Sequence, residues 1–273
     1  MEKQTNKTAL IVFTRVPIAG HTKTRLFSRF TPEQSRDLHR SFLKKAIEAT
    51  IQAKEKAEAD VFFFYTPSEG KEILRSIVEE TYAINQTEIS AEEIQNRSAK
   101  DQKDIDSSDF YDKNKDDPSK SEESSFGDYL LQEGEDLWEK MERAFAWCFR
   151  RGYKRVLLYG TDIPEISEED LLHALYHLNY VDLVIAPTFD NGYYLIGMRR
   201  SIPEVFLNID RNDPNVLRAS VQAIESIASY AVMGKRHDVD IPEDLQALIE
   251  RLKKGGEACK KSLGDILSII KKD

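Results

Sequence analysis

Cysteine is scarce in this chain. Only Cys148 and Cys259 occur in 273 residues, and no CxxC spacing exists. That excludes a zinc module and fits a reducing compartment. Long apolar runs are missing as well. Ala9 to Phe13 is no longer than a strand and gives way to Arg15 and Pro17, so no secretory leader is read there and no segment could span a bilayer. The cytoplasm is the expected location. An excess of positive charge is also absent. The net charge of −9 argues against general nucleic-acid binding, and an anionic substrate would need a local basic site. A Walker A phosphate loop is excluded too, because Arg15 stands five positions before Gly20, where that motif requires glycine.

What is present is the composition of a globular domain, 40% hydrophobic and 32% charged, with enough residues for one large α/β core. The stretch Arg155 to Ile166 sets the frame. Val156 to Tyr159 run apolar or aromatic with no polar alternation, which suits a central strand covered on both faces of a parallel sheet. The strand stops at Gly160, Asp162 follows in the turn, and Pro164 forbids further pairing. Ligands bind at the carboxyl end of such strands, so Asp162 is the first candidate site residue. Its position also suits a plain turn residue that hydrogen-bonds backbone.

Other unbroken apolar runs at Ala9 to Phe13, Val61 to Tyr65 and Leu183 to Pro187 read as buried strands, with a short one at Tyr230 to Met233. Between them lie helical patterns. Thr31-Pro32-Glu33-Gln34 starts a helix carrying Leu38, Phe42, Ala46 and Ile47, and a second helix is expected from about Lys71 to Glu80. Leu137, Met141, Ala144, Phe145, Cys148 and Phe149 mark a third, which Gly152 ends. Ser167 caps a fourth, and Asp213-Pro214-Asn215-Val216 begins one running to about Ile227. Another follows His237 to Leu245, in which Asp240 with Glu243 makes a capping pair, and the tail from Ala258 is amphipathic. The alternation calls for right-handed crossovers and a mostly parallel open sheet flanked by helices. Residues 85–127 turn to Asp, Glu, Lys, Ser, Asn and Gln with few aromatics. They are read as a disordered or weakly helical insertion into a single domain spanning 1–273.

The loop Thr14 to Leu26 gathers Arg15, Lys23 and Arg25 around Gly20, directly after the first strand. It has the make-up of a phosphate site, and equally of a solvated basic loop. In Asp190-Asn191-Gly192-Tyr193, the Asn191-Gly192 pair can supply positive φ angles for a tight turn, as a simple hairpin would. Asp238 lies outside the expected cap at Asp240 and is the better metal candidate of the two.

Four pieces together carry a resemblance: Phe13 to Leu26, Gln132 to Met141, Gly160-Thr161-Asp162-Ile163-Pro164, and Asp190 to Gly197. They resemble the bacterial glycosyltransferase-A-like selenodomain-associated transferases, of the nucleotide-diphospho-sugar transferase superfamily. His237 to Leu245 is similar to that family's closing Asp-x-Asp segment. Three positions differ. Trp138 and Asn191 stand where the family has glycine, and its usual tryptophan is missing near Arg211 and Asn212.

The resemblance implies a GT-A, Rossmann-like fold holding a nucleotide or nucleotide sugar, with Mg2+ or Mn2+ on Asp162 and completed by Asp238. It further implies Lys23 and Arg25 on phosphate oxygens, Arg15 as a third cation, and the Gly20, Gly160, Asn191 and Gly192 turns around the nucleotide. Asp190 falls on the acceptor side, as base or orienter, and Lys23 shares the catalytic role. The implied reaction is glycosyl transfer from a nucleotide sugar to an acceptor. Nucleotidyl transfer from an NTP to a phosphorylated acceptor is the alternative, and a non-catalytic nucleotide-binding protein a third.

Overall fold

A computed structural model of the chain describes residues 7–100, 126–207, 209 and 213–271. Its elements follow in order as β1 (Thr8–Arg15), α1 (Pro32–Ala57), β2 (Ala59–Thr66), α2 (Lys71–Lys100), β3 (Asp128–Leu131), α3 (Leu137–Arg150), β4 (Arg155–Gly160) and α4 (Glu168–His177). The second half adds β5 (Leu183–Pro187), β6 (Tyr193–Met198), α5 (Glu204–Leu207), α6 (Val216–Ile224), β7 (Tyr230–Val232), α7 (Pro242–Lys253) and α8 (Glu257–Ile270).

The strands form one sheet in the order β3-β2-β1-β4-β6-β5-β7. β1 pairs in parallel with both β2 and β4, whereas β6 runs antiparallel between β4 and β5. Strand β4 is thus central, as its unbroken apolar run requires. Side chains of β1 alternate between two cores. Leu10 and Val12 pack toward α1, α2 and α4, and Ala9, Ile11 and Phe13 toward α3, α5 and α6. Each fully buried leucine or isoleucine there contributes roughly 1.5–3 kcal/mol. A third cluster joins Leu38 and Phe42 of α1 to α7 and α8, which holds the segment before α7 over the sheet.

Three sequence expectations change. Helix α2 runs on to Lys100 rather than ending at Glu80, because Ile77, Val78, Thr81 and Asn85 extend one buried stripe at helical spacing. At the other end of the stretch 85–127, Phe126 is core. It packs between Phe63 and Tyr82, at ring-centroid distances of 6.1 and 5.1 Å, and leads into edge strand β3. A composition average conceals one aromatic among charges. Residues 101–125, the middle of the expected insertion, lie outside the described residues. Helix α6 stops at Ile224, three residues short of expectation. Among the described residues, no helix is long and apolar enough to cross a membrane.

Candidate active site

β2 lies on one side of β1 and β4 on the other, so the connections diverge at the carboxyl ends of β1 and β4. This is the place where open α/β sheets bind ligands. Four segments meet there: the loop after β1, the turn after β4, the β5–β6 hairpin, and the extended stretch before α7. They enclose a cleft of about 690 Å³.

Lys23 is its hub. The residue takes a left-handed conformation, φ 48°, at the start of a short 3₁₀ turn, and its side chain is 5% exposed. The ammonium donates to Asp162 Oδ1 at 2.6 Å, to Asp240 Oδ1 at 3.0 Å and to the Val239 carbonyl at 2.6 Å. Three N–H groups therefore meet three acceptors. Burial works against the charge, but Asp162 and Asp240 outweigh it and raise the Lys23 pKa. On Asp162 burial acts upward, and Lys23 overcomes it to leave the carboxyl below its usual range. Sequence reasoning gave Lys23 to phosphate oxygens. In the structure its hydrogens are spent on linking two loops to the β4 turn. The exposed cations facing the cleft are Arg15, near the His21 carbonyl, and Arg25, whose guanidinium lies 3.5 Å from Asp240 Oδ2.

Asp240 is a site residue that sequence reasoning put in a helix cap. The cap of α7 is made instead by Asp244, whose Oδ2 accepts from the backbone N–H groups of Asp240 and Ile241 at 3.0 and 2.9 Å. The stretch before it is extended, so Asp238 and Asp240 share one face while Val239 points the other way, fully buried in the core. That alternation was the missed signal. Burial, together with the facing carboxylates of Asp190 and Asp240, pushes the Asp238 pKa up to about 6.

Behind Lys23 runs a buried chain of hydrogen bonds that the sequence did not announce. His39 of α1 reaches Thr22 Oγ1 through Nδ1 and Thr161 Oγ1 through Nε2, the latter at 3.2 Å. Thr161 meets Thr14 Oγ1 at 3.1 Å, and the Thr14 hydroxyl donates to the Arg15 carbonyl. That last bond fixes the directions along the chain. Thr161 must donate to Thr14 and His39 Nε2–H to Thr161, and with the ring neutral its Nδ1 accepts from Thr22. Burial pushes its pKa down to about 4. From sequence, His39 was one polar residue on the apolar face of α1, beside Leu38 and Phe42.

On the opposite wall, Asn191 takes the expected positive φ, 74°. Asp190 Oδ1 accepts from the Thr188 hydroxyl and from Gly192 N at 3.1 Å, and its Oδ2 has no protein hydrogen bond among the described residues. A Cβ at Gly192 would stand 3.0 Å from Thr188 Oγ1, so this turn needs glycine for closeness. Gln132 closes the far end. Its amide donates to the Thr14 and Phe64 carbonyls at 3.1 and 3.0 Å, tying the carboxyl ends of β1 and β2 together. Of the sequence-derived candidates, Arg15, Lys23, Arg25, Gly160, Asp162, Asp190, Gly192 and Asp238 line the cleft. Gly20, at φ 82°, and Asn191 shape its loops without lining it. Trp138 packs near Tyr193, with ring centroids 6.1 Å apart, and residues 211 and 212 lie outside the described residues.

The architecture is that of the nucleotide-diphospho-sugar transferase fold. A provisionally assigned nucleotide-diphospho-sugar transferase from Desulfovibrio desulfuricans G20 superposes with a TM-score of 0.70 at 24% identity, over 96% of each chain. A 4-diphosphocytidyl-2C-methyl-D-erythritol synthase from Anaerococcus prevotii (11% identity, 92% of this chain and all of that one) and a cytidylyltransferase from Leptospira borgpetersenii (11%, 97% of each) both reach a TM-score of 0.49. At that level they add nothing to the assignment. The sequence model of a family described as uncharacterized proteins conserved in bacteria, DUF2064, matches residues 97–213. That match spans three of the four motifs, all but Phe13 to Leu26, and with the fold it bears out the glycosyltransferase-A-like resemblance. No curated protein matches the chain by sequence.

Proposed function

We propose that the chain is a nucleotide-dependent transferase that moves a sugar from a nucleotide-sugar donor to an acceptor hydroxyl. The carrying observation is the meeting of Arg15, Lys23 and Arg25 with Asp162, Asp238 and Asp240 at the carboxyl ends of β1 and β4. An acidic chain has little reason to gather three cations in one loop at that address unless it binds an anion. The name borne by the Desulfovibrio protein with the same fold supports the reading.

The donor set suits a hard divalent cation. Asp162 is 52% exposed and, among the described residues, keeps Oδ2 without a protein partner, while Asp238 faces the carboxylates of Asp190 and Asp240. Among the described residues no group of three or more His, Cys, Asp or Glu could hold a metal alone. This accords with the habit of Mg2+ and Mn2+ of binding through one or two carboxylates and substrate phosphates. Held by Asp162 and Asp238, such an ion would neutralise the diphosphate as it departs. Arg15 and Arg25 take phosphate oxygens at the cleft mouth. Lys23 holds Asp162 and Asp240 in place, and its charge borders the leaving group. Asp190, through Oδ2, accepts the proton of the acceptor hydroxyl as that oxygen bonds to the sugar carbon and the nucleoside diphosphate leaves.

A panel of sugar nucleotides and NTPs with Mn2+, followed by product analysis, tests this. A nucleoside diphosphate released from a sugar nucleotide is expected, and Asp162→Asn should abolish the metal-dependent part of nucleotide binding while leaving the fold intact. Pyrophosphate from an NTP would replace the reading with nucleotidyl transfer. No product from any donor would leave a nucleotide-binding protein.

A further inference from the structure

Outside the cleft, helix α4 carries two histidines one turn apart near its carboxyl end. His173 is exposed and His177, the last residue of the helix, half-buried. Their rings face each other with centroids 4.5 Å apart, inclined at 52°, and the two Nε2 atoms are 3.1 Å apart. Histidines at i and i+4 are always neighbours on a helix. Here, beyond mere adjacency, the same nitrogen of each ring is brought against that of the other. Among the described residues no third His, Cys, Asp or Glu joins the pair as a ligand.

That spacing is the bite of a chelate. Two nitrogens about 2.0–2.1 Å from one metal and 3.1 Å from each other subtend about 95–100° at it, between the octahedral and tetrahedral angles. Imidazole nitrogen suits Cu2+, Ni2+ and Zn2+, whereas the carboxylates of the cleft suit Mg2+ and Mn2+. The negative end of the α4 helix dipole, at which His177 stands, favours a cation there. The ring that now donates its Nε2 proton would carry it on Nδ1 instead, exchanged through solvent, so that both Nε2 lone pairs face the cation.

We propose that His173 and His177 form a two-histidine chelate for one borderline transition-metal cation, separate from the cleft, with water in the remaining positions. The assignment is independent of the transferase reading, since neither histidine lines the cleft.

The test uses full-length, tag-free protein freed of metal and kept in saturating Mg2+, which occupies hard oxygen sites. Titration with Cu2+ or Ni2+ alone should show uptake of one equivalent, and the electron paramagnetic resonance spectrum of the Cu2+ form should resolve two nitrogen ligands. His173→Ala and His177→Ala should each lose that equivalent, whereas His237→Ala should keep it. Sugar-nucleotide binding with Mg2+ should be the same in both α4 variants. A wild-type spectrum with fewer than two nitrogens overturns the proposal, and needs no variant to fold. So does the absence of stoichiometric uptake, or its survival in either α4 variant.

Discussion

At the scale of single residues the cleft rests on one buried cation and one buried neutral ring. Lys23 offsets Asp162 and Asp240, and His39 spans Thr22 and Thr161 as a ring that burial keeps unprotonated. This gives a pH dependence with a definite sign. The unfolded chain binds a proton at His39 near the ordinary pKa of about 6.5, while the folded chain refuses it down to about 4. The folded-state pKa is the lower one, so the stabilising contribution is complete above 6.5 and is lost as pH falls through 4. Across that window the loss is on the order of 3 kcal/mol. Denaturant melts at pH 7 and pH 4.5 should differ more for wild type than for His39→Gln, which cannot titrate. Equal differences would remove His39 from the account. The glutamine itself should lower stability at pH 7 by leaving one of the two threonine hydroxyls without its partner.

At the scale of elements, the antiparallel β6 carries the constraint. It runs beside β4 with Gly197 opposite Leu157. A Cβ at Gly197 would meet Leu157 Cδ2 at 2.4 Å and Val184 Cγ2 at 2.7 Å. Gly197→Ala should therefore destabilise by about 1–3 kcal/mol through overpacking, despite alanine's better fit to a regular strand. Chemical denaturation would read this as a lower midpoint at unchanged slope. A neutral or stabilising effect would mean that the two side chains turn aside without cost. Strand and helix cores were legible in the sequence because period and burial agree in them, as in Ala9 to Phe13 or the Thr31 capping box. The end of α2 and edge strand β3 were not. Their few apolar residues lie within a polar surround, where local composition outvotes one Phe126.

At the scale of the whole molecule the charge is −9, and the long-range field repels the anionic donor that the cleft is proposed to bind. Exposed Arg15 and Arg25 must overcome this locally. Attraction through exposed side chains is screened once ions crowd within a Debye length, about 10 Å at 0.1 M salt. Nucleotide affinity should therefore weaken from 50 mM to 500 mM NaCl, and the Arg15→Ala, Arg25→Ala double variant should show both weaker binding and a flatter salt dependence. Calorimetry at the two salt concentrations checks this. A slope unchanged in the double variant would move the phosphates elsewhere.

By itself the sequence determined the open, mostly parallel sheet, the central place of β4, and the address of the basic loop and of Asp162. Each depends on periodicity or on the chemistry of residues close together in the chain. Only the tertiary structure decided what those residues do to one another. Lys23 and Asp240 stand 217 positions apart and Thr22 and His39 lie on different elements, so no local pattern could pair them. The cap at α7 shows why. Asp240 and Asp244 are both sound capping residues, and the choice between them fell to Lys23. A buried ammonium must find acceptors for its three hydrogens, and Asp240 was the carboxylate within reach.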